Sequence, residues 1–374
     1  MDRKSLILKI LIVVGALFAI YAVSKPGFGE VQKATGPTMD KTSILFRAYR
    51  TNEWVGEKEV WKWYPKVEFR VNGPISAGSQ IYIEYSKEGK PWFSCDCDTQ
   101  EIEADHWLNT SGCKFDKDYE GKAIEYVGFV NFAIKMKNEL EGTNTTLFSG
   151  KFKAMKNNPT ISDSQSVYNQ YKYYIDYDWT LPFALLSYTG RERSSGCEFP
   201  EISMWFPGDN TPNSKLDQAV AYLFYNGKKI SSSADADYGG RKDSMEIDTM
   251  GAGRSYSFES FYFGMTCVID NSPPSNNLSE YFHMDKNPGE YEVKVLWYGK
   301  LARSVKFSVG ADGKVVDNGI AKLNNLGTLN FDQHDQVFLL PVKVIGNNGL
   351  TCDLNAWKTD AYWGNPLKGF ALPQ

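Results

Sequence analysis

The chain has 374 residues, a formal net charge of −4 and no basic cluster beyond scattered lysines, so a nucleic-acid partner has no electrostatic footprint. Mean hydropathy is −0.41, and no membrane span is expected beyond the first segment. Aromatic residues make up 14%, with 22 Tyr and 22 Phe, and together with many Gly and Thr/Val/Ile runs they favour strands over helices.

The N-terminus opens with Asp2-Arg3-Lys4 and continues into an apolar run, Leu6 to Val23, interrupted only by Lys9. Eighteen residues span about 27 Å as a helix, close to the hydrocarbon thickness of a bilayer. A basic flank stays in the cytoplasm, so the chain after about Ser24 is expected outside it, in a periplasm or at a cell surface. Residues 1–30 read as a signal-anchor helix. Ala22-Val23-Ser24 offers a cleavage alternative that would release a secreted protein, although Phe18 and Tyr21 crowd it.

About 350 residues follow, enough for two cores. The first unit, 40–156, holds the alternating run Lys66–Val71, the break Asn72-Gly73-Pro74, a longer run Gln80–Ser86 and a turn at Glu88-Gly89-Lys90. A second unit, 167–310, repeats that order: Glu201–Phe206, Pro207-Gly208-Asp209, Ala219–Tyr225, then Asn226-Gly227-Lys228. Both units close on paired strands, Asn131–Lys137 with Phe148–Met155 and Tyr291–Val295 with Ser304–Val309. The offset between units grows from about 138 to about 157 residues, so the second carries an insertion, placed at 231–283.

A polar linker is expected at 157–166. A tail at 319–374 contains the strand Gln336–Ile345, whose Pro341 argues for an edge or a bulge. Ser214–Ala221 is the best short helical candidate and could equally lead into the strand. The pattern of turn, Tyr-x-Val-x-Val, loop and Val-x-Phe-x-Val resembles the last hairpin of an immunoglobulin-like or fibronectin-like sandwich. That resemblance implies an all-β ectodomain of two tandem antiparallel β-sandwiches, with the tail packed on the second.

Six cysteines, Cys95, Cys97, Cys113, Cys197, Cys267 and Cys352, read in an exported chain as up to three disulfides. Cys95 and Cys97 share a strand face and cannot comfortably bond each other, so Cys113 takes one of them. Cys197 with Cys267 is the natural second pair. Cys352 and the remaining cysteine are joined or free. A zinc set of Cys95, Cys97, Cys113 and His106 has four ligands but no standard spacing.

Three features bear on function. Asp235, Asp237, Asp243 and Glu246, with Gly240 at the sixth position, follow most of a calcium-loop spacing, although Gly239 supplies no side-chain ligand at the fifth. An ordinary solvated turn is the plain alternative. Trp61 and Trp63 alternate in Val60–Tyr64, placing two indoles on one strand face for a protein or glycan partner, or else in the core. The acceptor triplets at Asn109, Asn144 and Asn277 matter only in a glycosylating host.

No nucleophile elbow, metalloprotease, C-x-x-C or phosphate-loop motif occurs. Carboxylate pairs such as Asp176/Asp178 are not assignable by spacing. The reading is a membrane-anchored extracytoplasmic binding or assembly protein. The alternatives are a secreted carbohydrate-binding protein, or a hydrolase with its site in the 231–283 insertion.

Overall fold

The computed structural model describes residues 37–72, 75–103, 106–113, 121–156, 173–189, 197–208, 219–236, 240–247, 254–270, 280–323 and 337–358. The apolar run Leu6–Val23 and the linker 157–166 lie outside these residues. Among the described residues no helix is long and apolar enough to cross a membrane. The fold is all-β, with several curled sheets.

The first sheet is built from β1 (Thr38–Val55), β2 (Lys58–Asn72), β3 (Ser79–Lys87), β4 (Lys90–Glu103), β5 (His106–Cys113), β6 (Gly128–Asn138), β7 (Thr143–Lys156) and β8 (Tyr173–Ile175). Their order is β1-β2-β5-β4-β3-β6-β7-β8, and every pairing is antiparallel. β8 lies beyond the expected limit of the first unit at residue 156. The sheet curls until β1 lies beside β7 and β8. Alternation then puts one face of each strand inside. Phe46 of β1 stacks on Phe152 of β7 at 4.3 Å and meets Phe132 of β6 edge-on at 4.7 Å.

The second sheet uses β9 (Phe183–Thr189), β10 (Cys197–Gly208), β11 (Ala219–Tyr225), β12 (Lys228–Ser232), β13 (Arg241–Ile247), β14 (Ser255–Tyr262), β18 (Gly289–Trp297), β19 (Lys300–Val309) and β20 (Val337–Val344). Short strands β15 (Thr266–Cys267), β16 (Ile269–Asp270) and β17 (Phe282–His283) lie within the insertion, and β16 also pairs with β10. The main order is β12-β11-β18-β19-β20-β9-β10-β14-β13. Ala219–Tyr225 is thus a strand, as its sequence reads, and the described end of the helical candidate, 219–221, belongs to it.

Pro341 does not mark an edge. β20 is interior: its first part pairs with β9 as far as Pro341↔Phe183, and its end pairs with β19 from Val342↔Val305. Proline, which cannot donate to a ladder, stands where the strand passes from one neighbour to the other. The predicted tail therefore supplies a central strand. Around β20 the sheet folds over, and Val293, Val305, Phe206, Ile202, Phe261 and Leu340 from both arms share one core.

The outer side of that fold, with Trp205, Tyr256 and Leu339, joins the core of the first sheet through Tyr177, Trp179 and Leu181. β10 is consequently buried on both faces along most of its length. The order β4-β3-β6-β7 recurs as β12-β11-β18-β19, with tight turns at Glu88-Gly89 and Asn226-Gly227 all at positive φ.

Candidate functional site

The β1–β2 hairpin is held to the body near Arg50, whose Nε donates to the Tyr173 carbonyl at 3.0 Å, and Trp63, which bridges to Ile124. Beyond them the two arms pair with each other as far as Val55↔Lys58, while β5 reaches only Phe69–Asn72 of β2. The five residues of each arm beyond that point extend about 17 Å, and among the described residues no further strand pairs with them. Gly56 closes the turn at φ +64, a region that penalises a Cβ.

Register places Arg50 opposite Trp63, Asn52 opposite Trp61 and Trp54 opposite Glu59, so the three indoles share one face of the hairpin. Their exposure grades along it. Trp63 is fully buried, its Nε1 donating to the Tyr126 carbonyl at 2.7 Å. Trp61 is half-buried against the first core. Trp54 is 70% exposed, next to Val55, also exposed.

The expected display pair is therefore split. Trp63 is a core residue, since alternation carries that face inward where the sheet curls, and the exposed indole is Trp54. The signal for Trp54 was Trp-Val-Gly-Glu between two alternating runs, a hairpin tip ending in apolar side chains. Lys62 pairs with Glu53 on the opposite face, leaving the tip close to neutral.

Leu140, on the β6–β7 turn, is more exposed, at 83%, with no exposed large apolar neighbour in that turn among the described residues. Its Cδ1 would be 2.9 Å from a Cβ at Gly78, so it lies over its own chain.

The Asp176/Asp178 pair is a closed cluster. Asp178 Oδ1 accepts from Arg254 Nη2 at 2.8 Å and from the Tyr256 hydroxyl at 2.9 Å. Its Oδ2 accepts from the Asp353 N–H at 2.7 Å, and Asp176 Oδ1 accepts from the Asp178 N–H at 2.9 Å. Burial, and then the neighbouring Asp178, push Asp176 above the usual carboxylate range. With both oxygens of Asp178 occupied, the arrangement ties three chain segments together.

The acidic loop is not gathered. Asp235 is exposed, and Asp243 is exposed and paired with Arg241 at 3.1 Å. Asp237 and the Glu246 side chain lie outside the described residues. No group of three His, Cys, Asp or Glu side chains able to hold a metal forms among the described residues.

Cys197 and Cys267 are disulfide-bonded, Cα atoms 5.4 Å apart. Cys95 is also in a disulfide and so is no thiolate ligand for zinc. Cys97 and Cys352 are free. Burial, with Asp96 and Asp98 nearby, pushes the Cys97 thiol up to about 12, and burial with Asp178 raises Cys352. Both are therefore weak nucleophiles. In the insertion, His283 Nδ1 lies 3.3 Å from Asp270, whose same oxygen Lys286 contacts at 3.2 Å. The side chains of His106, Cys113, Asn109 and Asn277 lie outside the described residues, while Asn144 is exposed and exchanges hydrogen bonds with the Tyr82 hydroxyl.

No known protein-family model matches the chain, and no curated protein matches it by sequence.

Proposed function

We propose that this chain is a membrane-anchored extracytoplasmic binding or assembly protein whose contact element is the tip of the β1–β2 hairpin. The observation that carries this reading is Trp54, an exposed indole beside an exposed Val55 at the end of a projecting hairpin. Tryptophan gives the largest gain per residue when a partner pocket closes over it. Two tandem sandwiches of immunoglobulin type support the presentation of that tip. The recurring order of two hairpins joined through their first strands favours this reading of the units.

The anchor is Leu6–Val23, and β1 starts fifteen residues after it, at Thr38. Eighteen residues of strand then carry the chain about 55 Å from the start of β1 to the tip.

A second reading, glycan binding, draws on Trp54 and Trp61 sharing one face, where sugar rings could stack. The test is purification of the full chain from membranes in mild detergent, as wild type and as Trp54→Ala. Retention in the membrane fraction with a stoichiometric partner, lost in the variant, is expected. A chain whose mature N-terminus is Lys25, or whose partner persists in the variant, would count against the anchor or the tip respectively. Tip-dependent binding on a glycan array would favour the second reading.

A further inference from the structure

At one end of the second core, parts of four strands meet around Phe206 of β10. The Arg303 guanidinium of β19 lies over its ring at 4.6 Å, and the Trp297 ring of β18 meets it edge-on at 5.5 Å. Ser257 of β14 is its cross-strand partner, so the Ser257 side chain shares that face. All four residues are buried.

Each neighbour of Phe206 brings a donor that no described group uses. Ser257 Oγ, Trp297 Nε1 and Arg303 Nε are buried without a hydrogen-bond partner among the described residues. The rest of the guanidinium is engaged. Its Nη1 donates to the Ala302 carbonyl at 2.9 Å and to the Gly346 carbonyl, and its Nη2 donates to Asn347 Oδ1 at 2.8 Å. Those acceptors are all neutral. Burial pushes the Arg303 pKa down to about 9, and no carboxylate of the described residues offsets it.

Glu259 lies two residues along β14, about 7 Å from Ser257. Its Oε1 is likewise buried without a partner among the described residues, but its charge is met by Lys242, 2.8 Å from Oε2. Arg303 has no such counter-charge. Water satisfies buried donors but leaves a buried charge uncancelled, whereas an anion does both. Two N–H donors, one of them cationic, and a hydroxyl set about one aromatic ring are the chemistry of an anion site. Enclosure within a packed core suits an anion of halide size.

We infer that Arg303 Nε, Trp297 Nε1 and Ser257 Oγ form a buried site for a halide-sized monovalent anion. The anion joins β14, β18 and β19 at the end of the core where Arg303 also holds Gly346 and Asn347. This site is separate from the hairpin tip and does not depend on it.

The test uses the full chain and chloride as probe. Unfolding midpoints are measured as sodium chloride replaces sodium gluconate at constant ionic strength, and bromide is located by anomalous diffraction in crystals. The midpoint is expected to rise saturably with chloride, and bromide to lie within hydrogen-bond distance of the three donors. Ser257→Ala and Trp297→Phe, which keeps the ring beside Phe206, are each expected to weaken chloride about tenfold. Each variant is read by its own chloride dependence, so a lower starting stability does not obscure the result. Equal midpoints in chloride and gluconate, a chloride effect unchanged in both variants, or bromide absent from the site would overturn the proposal.

Discussion

The Tyr177 hydroxyl accepts from the Phe46 N–H at 2.7 Å and donates to the Phe46 carbonyl at 3.0 Å, across 131 residues of sequence. One side chain thus serves both main-chain groups of a buried residue in β1. Burial holds its phenol protonated, well above the ordinary tyrosine range. It is a lateral stitch between the first sheet's opening strand and the segment that leads into the second. Tyr177→Phe strands a buried donor and a buried acceptor, and is expected to cost about 2–4 kcal/mol. Urea unfolding followed by Trp fluorescence measures it. A loss below half a kcal/mol would show that the stitch is dispensable.

Trp63 and Trp54 lie on one face of one hairpin with opposite environments, and their alanine variants should separate. Trp63→Ala removes a fully buried indole and orphans the Tyr126 carbonyl, so about 3–5 kcal/mol of stability should be lost. Trp54→Ala should leave stability within about 0.5 kcal/mol. Matched denaturant curves decide the point. Equal losses would mean that the tip is packed in solution.

Asp176 gives the fold a pH dependence of known sign. Its folded pKa is raised, first by burial and then by Asp178, so the folded state binds its proton more tightly than the unfolded chain does. The associated stability is complete below the unfolded value of about 3.9 and is lost as pH rises through the raised folded value. Asp176→Asn keeps an acceptor for the Asp178 N–H and has no charge to desolvate. The variant should therefore gain on the wild type as pH rises from about 4 through that raised value. A stability difference that is flat in pH would place the cause elsewhere.

The Cys197–Cys267 bond closes a 70-residue separation and fastens the insertion to the start of β10. Chain entropy gives it about 4 kcal/mol. The double Cys→Ser variant should unfold at correspondingly lower denaturant, with the hairpin tip unaffected in binding. An unchanged midpoint would show that the bond constrains little in the unfolded chain.

Much of the strand order was legible because period-two runs met turns with obligatory positive φ. Glu88-Gly89 and Asn226-Gly227 marked two hairpins. Four things were not legible. Lys66–Val71 reads as a short strand, yet it is the far end of the fifteen-residue β2, since alternation alone does not tell where pairing begins. Pro341 suggested an edge because the change of partner at β20 is a tertiary event. Trp63 reads as displayed among Lys and Glu neighbours, yet sheet curvature, which the local pattern does not encode, turns its face into the core. The Asp176–Asp178–Arg254–Tyr256 cluster joins positions up to 80 residues apart, beyond the reach of spacing arguments.

The hairpin tip as contact element is tested most directly by a photo-crosslinking residue placed at Trp54 in the full chain, irradiated in intact membranes, with the same residue at Leu140 as control. Both sites are exposed and apolar, but only Trp54 stands on the projecting hairpin. The account predicts one discrete adduct from position 54 and none from position 140. Adducts that are absent at 54, or equal at both positions, would contradict it.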